Sequence, residues 1–181
     1  MAAIAEDGLA SLTMSALAER LGTSGGHILY YFGSKDLLLL AALRWSEAAL
    51  AGERRALLGR RVPAERKLDL FLKLYLPCGP RDPRWTLWIE LWARAAGNDA
   101  LREAQVELDR GWQEDLEALL ATGVARGRFA PLDTAARASE LLALLDGLST
   151  RVVLGQGPDG ALEVARSAAL ALVPRGAPAE R

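Results

Sequence analysis

The stretch Thr13–Lys35, TMSALAERLGTSGGHILYYFGSK, decides how the rest of this 181-residue chain is read. Thr13 stands where it can cap a helix whose apolar side chains, Met14, Leu17, Ala18 and Leu21, recur at three- and four-residue steps. Gly22-Thr23-Ser24 then interrupts the pattern, with glycine free to take the positive φ of a helix stop. Ser24 caps a second short helix from Gly25 to Phe32, and Gly33-Ser34 ends it. Two helices joined by about three residues that include glycine form a helix-turn-helix. Leu17, Leu21, Ile28, Leu29 and Phe32 are its core candidates.

In such a unit the second helix enters the major groove and its N-terminal residues meet base edges. Here those residues are Gly25, Gly26 and His27. Glycine lowers helix propensity by about 1 kcal/mol in a helix interior, and by less in a first turn. Lacking a side chain, it lets the backbone approach a phosphate or a base closely. His27 carries a donor and an acceptor nitrogen for a base edge. Tyr30 and Tyr31 offer hydroxyls to phosphates, and Lys35 adds a charged contact at the next helix start. The pattern alone fits a helical hairpin with no role on DNA equally well.

The resemblance separates the two readings. Gly8-Leu9-Ala10-Ser11-Leu12-Thr13-Met14, Leu17-Ala18-Glu19-Arg20-Leu21-Gly22 and Tyr30-Tyr31-Phe32-Gly33-Ser34-Lys35-Asp36-Leu37-Leu38, in that order, resemble the DNA-binding head of the TetR family of repressors. The resemblance implies an all-α protein: a three-helix head, a connecting fourth helix, and a helical domain for ligand binding and dimerisation. It implies DNA contacts at Thr13, Ser15, Ser24, Gly25, Gly26, His27, Tyr30, Tyr31 and Lys35. Leu29 stands where the family usually has tyrosine. The family's basic arm and first helix occupy some ten to fifteen more residues than Met1–Asp7 supply. That implies a shortened first helix, from a start recorded downstream of the true one or in a truncated member. Up to Lys35, Arg20 and Lys35 stand against Glu6, Asp7 and Glu19, a formal −1. Phosphate contacts supply much of protein–DNA affinity, so the head as written is electrostatically weak.

The rest of the chain reads as helix throughout. Ala, Leu, Glu and Arg dominate, apolar residues recur at helical spacing, and no long alternation suggests a sheet. Expected helices run from Lys35 to about Leu58, Ala64 to Leu76, Pro83 to about Ala96, Asn98 or Asp99 to about Ala125, Asp133 to about Leu154, and Ala161 to Leu172. Pro174–Arg181 reads as a frayed tail. The expected division is a head over residues 1–45, a ligand-binding and dimerisation domain over 46–173, and a tail over 174–181.

Composition narrows the function. The chain is 51% hydrophobic with a formal charge of −1 and a mean hydropathy of +0.09. The apolar run Leu37–Leu43 is far short of the ~18–20 residues that cross a bilayer, so no membrane partner is expected. Glu6 and Asp7 stand where a signal peptide would be apolar, which gives a cytoplasmic expectation. One cysteine, Cys78, and one histidine, His27, exclude an internal disulfide and histidine-pair chemistry. No cofactor, no metal and no enzymatic activity are expected.

Beyond Pro63 lie four of the five tryptophans. Trp85, Trp88 and Trp92 share one helix face, Phe71 and Tyr75 lie four apart on another helix, and Trp112 is on a third. These residues form either a packed aromatic core or a pocket for a small apolar or aromatic effector. Phe71, Tyr75, Trp88, Trp92 and Trp112 are the ligand-binding candidates, with Glu90, Arg94 and Asp109 as polar groups. Trp88-Ile89-Glu90-Leu91-Trp92-Ala93-Arg94-Ala95, Trp112, Gly127-Arg128-Phe129 and Leu144-Leu145-Asp146-Gly147-Leu148 resemble the C-terminal domain of the BetI-type branch of the family. The last two helices carry apolar surfaces: Ala138, Leu141, Leu142, Leu145, Leu148 and Val152 on one, and Leu162, Val164, Ala168, Leu170 and Leu172 on the other. They are buried within one subunit or, as the family implies, form a two-fold dimer seam. The function implied is a ligand-responsive repressor that binds a double-stranded DNA operator as a homodimer. Two alternatives stay open: a DNA-incompetent ligand-binding or scaffold dimer, and a small helical enzyme.

Overall fold

The computed structural model describes residues 13–156 and 160–176. The Gly8 turn, the short segment before it, residues 157–159 and residues 177–181 of the expected tail lie outside the described residues. The described helices, in chain order, are α1 (Met14–Arg20), α2 (Gly25–Phe32), α3 (Lys35–Leu58), α4 (Ala64–Tyr75), α5 (Pro83–Ala95), α6 (Asp99–Ala125), α7 (Thr134–Val153) and α8 (Ala161–Leu172). No strand occurs among the described residues.

Local chemistry sets where these helices start. The Thr13 Oγ1 accepts from the Ala16 N–H at 3.0 Å, and the Ser24 Oγ from the His27 N–H at 3.1 Å. The Ser34 Oγ opens α3 by accepting from Leu37. Asp82 caps α5, with Pro83 in its first turn. Asn98 caps α6 through Ala100 and Leu101, and Asp133 caps α7 through Ala136. Each side-chain oxygen satisfies an N–H that the first helical turn leaves without a partner. Gly22 and Gly33 take φ of +64° and +77° at the two stops, which other residues adopt only with strain.

The chain divides into two units: residues 1–49 with 81–108, and residues 50–80 with 109–181. In the first, α1 packs on α2, and each helix has one buried residue, Ala18 and Ile28. Leu21, Leu29 and Phe32, expected in the core, are exposed, because a pair of short helices buries only the facing side of each. Leu39, Leu43, Leu87 and Leu91 are fully buried in this unit. Arg94 reaches Asp36 in the first turn of α3 at 2.7 Å, and Arg44 pairs with Glu107 at 2.9 Å.

The second unit is built around Phe71, Leu116, Leu120, Leu141 and Leu145. Here α7 packs on α8, and α8 on α4. Of the α7 surface considered for a dimer seam, Ala138, Leu141, Leu142, Leu145 and Val152 are buried within the chain. The face of α7 left exposed carries Glu140, Ala143, Gly147 and Arg151 instead. On α8, Val164, Ser167, Leu170 and Ala171 are exposed.

Pro174 to Gly176, read from the sequence as the start of a frayed tail, are held. The Ala130 N–H donates to the Pro174 carbonyl and the Gly176 N–H to the Arg128 carbonyl, each at 2.9 Å. Phe129, 3% exposed, pairs with Arg175 in this short antiparallel bridge. Its ring lies where a side chain at position 123 would be: a Cβ on Gly123 would sit 2.1 Å from Phe129 Cδ2. Glycine inside α6 is thus a packing requirement.

Candidate functional site

The second helix of the helix-turn-helix presents a polar aromatic face. Tyr30 is 84% exposed and Tyr31 68%, and His27 is exposed beside them. The three rings meet edge to face, with centroids 4.8 Å apart for His27–Tyr31 and 5.5 Å for Tyr30–Tyr31. Edge-to-face contacts hold the side chains in place while leaving the hydroxyls available to an external acceptor. Thr13, Ser15 and Ser24 are exposed, and Lys35 is half-buried at the first turn of α3. The Thr13 and Ser24 oxygens accept bonds as caps, which leaves their O–H protons to donate outward.

The two glycines differ. A Cβ on Gly25 would touch the Met14 carbonyl oxygen at 3.5 Å, an ordinary contact, whereas one on Gly26 would meet nothing within 4 Å. Nothing inside the chain therefore requires glycine at position 26. The residue leaves bare backbone on the exposed first turn of α2, which suits close approach by another molecule.

The effector candidates fall in both units. Phe71, Tyr75 and Trp112 come together in the second. Trp112 receives Phe71 at 5.5 Å and Tyr75 at 4.7 Å between ring centroids, both edge-on. Over the Trp112 ring lies the guanidinium of Arg54, its carbon 4.0 Å from the centroid. The Arg54 Nε donates to Asp115 Oδ2 at 2.6 Å. The Tyr75 hydroxyl donates to Asp146 Oδ1 at 2.5 Å. Burial raises the Asp146 carboxyl above the usual carboxylate range, and the Tyr75 bond only partly opposes that rise.

Trp88 and Trp92 lie in the first unit with Trp85. Trp92 sits 6.0 Å from Trp85 and 6.1 Å from Trp88 between ring centroids. The Trp88 indole N–H donates to Glu47 Oε1 at 2.9 Å in a buried bond. Of the polar candidates, Arg94 is engaged by Asp36 and lies 3.7 Å from Glu90, while Asp109 is exposed.

The sequence reading missed Glu47, Arg54 and Asp115. Leu43, Glu47, Leu50, Arg54 and Leu57 alternate at four- and three-residue steps and are all buried, so one apolar stripe of α3 carries two charges. That interruption of an otherwise leucine-lined face was the available signal, since a charge on a buried face implies a partner.

Comparison with known proteins agrees with this arrangement. Residues 1–42 match the profile of bacterial regulatory proteins of the tetR family, and residues 64–175 match the BetI-type transcriptional repressor C-terminal profile. An HTH-type transcriptional regulator BetI from Burkholderia cenocepacia is 31% identical over 163 residues, covering 86% of this chain and 78% of that one. Among solved structures, a putative transcriptional regulator from Saccharomonospora viridis in complex with choline is 27% identical. It superposes with a TM-score of 0.85 over 94% of this chain and 91% of that one. A TetR transcription regulator from Haloarcula marismortui is 26% identical with a TM-score of 0.80, over 94% and 90% of the two chains. The chain belongs to the TetR family of DNA-binding transcriptional regulators, with a BetI-type C-terminal region.

Proposed function

We propose that the chain is a ligand-responsive repressor that acts as a homodimer on a double-stranded DNA operator. The observation that carries this reading is the exposed face of α2, where His27, Tyr30 and Tyr31 stand beside the bare backbone of Gly26. Thr13, Ser15, Ser24, Gly25 and Lys35 complete the assigned contact set. Side chains of this kind bond phosphates and base edges, and the first turn of a recognition helix is where base contacts concentrate.

Dimerisation is assigned to the exposed faces of α7 and α8. Ala143 and Gly147 on α7 and Ser167 and Ala171 on α8 are small and permit close helix approach, while Val164 and Leu170 supply apolar area. A two-fold pair of heads reads a palindromic site with half-sites about one helical turn apart.

The effector is assigned to the aromatic side chains of a single unit: Phe71, Tyr75 and Trp112 of the second, with Trp88 and Trp92 of the first as a separate candidate set. It is a small molecule with an apolar or aromatic body. Choline, bound by the Saccharomonospora viridis relative, is a cation outside that class and serves as the comparison compound. The effector's differential affinity for two conformations would shift operator binding, with α3 as the continuous element that joins the head to the second unit.

The test is operator affinity of the full chain, on DNA from upstream of its own coding region, with and without choline and a panel of small aromatic compounds. Release of DNA by a compound whose binding is lost in Trp112→Ala or Trp88→Ala supports the reading. A compound that binds without changing DNA affinity counts against the switch.

A further inference from the structure

A basic groove in the second unit is used neither by the aromatic side chains nor by the helix-turn-helix. The α3–α4 connection, Gly59 to Pro63, and the end of α6 enclose an open groove of about 610 Å³. Five cations line it: Arg60, Arg61, Lys67, Arg126 and Arg128. Two have intramolecular partners. The Lys67 ammonium donates to the Leu58 carbonyl at the end of α3, and Arg128 pairs with Glu65 at 2.7 Å. Arg60, Arg61 and Arg126 form no ion pair among the described residues, and all three are exposed. No carboxylate lines the groove. A chain of net charge −1 has thus gathered three guanidinium groups around one concavity without neutralising them. Mutual repulsion disfavours such a gathering, and an anion removes that repulsion.

A narrower cleft of about 110 Å³ continues from the groove, sharing Leu58, Val62, Ala64, Lys67 and Arg126 with it. Its remaining walls are Ala118, Leu119 and Thr122 on α6. The site therefore joins a strongly cationic mouth to a small, mainly apolar recess. We infer that this is a binding site for a small organic phosphate, with a dianionic head held by Arg60, Arg61 and Arg126 and a short hydrocarbon portion lodged against Leu58, Val62 and Leu119. Arginine suits the head because its planar fork matches phosphate oxygens in pairs. The recess limits the tail to a few carbons, which favours a soluble phosphate ester over a long-chain lipid.

Isothermal titration of the full chain with butyl phosphate, inorganic phosphate and butanol tests the assignment. Butyl phosphate should bind roughly tenfold or more tighter than inorganic phosphate, the gain from burying two or three carbons, and butanol should not bind measurably. Arg60→Ala combined with Arg126→Ala should weaken butyl phosphate about tenfold or more and leave the thermal midpoint unchanged, because both side chains are exposed. Arg110→Ala, an exposed control on α6, should change nothing. Leu119→Ala should erase the preference for butyl over inorganic phosphate. Equal affinity for the two phosphates, or retention of butyl phosphate by the double variant, overturns the proposal. Tight capture of anionic vesicles without binding of butyl phosphate would assign the groove to a membrane surface and overturn it also. Operator affinity followed in parallel distinguishes failure of this site from failure of the repressor reading.

Discussion

Arg54 holds its guanidinium carbon 4.0 Å from the centre of the Trp112 ring while its Nε bonds Asp115 at 2.6 Å. A buried cation is thereby balanced on one side by a carboxylate and on another by the negative face of an indole. A Cβ on Gly111 would come 3.2 Å from Arg54 Nη2, so the lack of a side chain there gives the guanidinium its room. Arg54→Ala leaves Asp115 without this cation and Trp112 without its cover. It should destabilise the chain by about 3 kcal/mol, measured by denaturant unfolding. Arg54→Lys should recover only part of the loss, since an ammonium cannot stack as a planar group. A midpoint unchanged in Arg54→Ala would remove this pair from the account of the second unit.

Gly26→Ala separates folding from recognition. The added Cβ meets nothing within the chain, and alanine favours helix over glycine by up to about 1 kcal/mol. Thermal stability should hold or rise slightly while operator affinity falls. If affinity is unaltered, the bare backbone of α2 does not approach DNA.

Gly123→Ala should do the opposite, lowering stability without touching the DNA face. The new methyl group collides with the buried Phe129 ring, and overpacking of this kind costs about 1–3 kcal/mol. Adding Phe129→Leu should restore part of that loss, giving a non-additive double-mutant cycle. Simple additivity would show that the ring does not need the space.

Two half-buried carboxylates should respond to pH with opposite sign. Burial alone would raise Asp69, but the Arg166 hydrogen bond and the charges of Arg166, Lys73 and Arg66 outweigh it and hold its carboxyl below the usual range. Its stabilising contribution is present above the unfolded carboxylate pKa and disappears as pH falls through the lower folded value. Asp146 is raised by burial, so its contribution is fully present below the unfolded pKa and is lost as pH rises through the higher folded value. Asp69→Asn should therefore lower the thermal midpoint at neutral pH, and Asp146→Asn should raise it. Both differences should shrink towards pH ~3. Shifts of the same sign at neutral pH would contradict these environments.

Helix placement was legible in the sequence because the signals are local. Thr13, Ser24, Asp82, Asn98 and Asp133 each act on the turn that follows, and glycine stops act on the turn before. Which face of a helix is covered depends instead on distant partners. The apolar stripe of α7 gave no way to choose between its own core and a second subunit, and it lies in the core. Leu21 and Leu29 have the right spacing for burial yet find no third surface among the described residues. The same reasoning explains why Arg54 was overlooked: its partners Trp112 and Asp115 are some sixty residues away.

The exposed face of α2, with His27, Tyr30 and Tyr31, is the proposed DNA-reading surface. Fluorescence anisotropy of a labelled duplex from upstream of the coding region, titrated with the full chain across a salt series, tests it most directly. Binding should weaken steeply with salt. Affinity should fall about tenfold or more in both His27→Ala and Tyr31→Ala, with unchanged thermal midpoints. Salt-insensitive binding, or equal affinity in the wild type and both variants, would contradict that assignment.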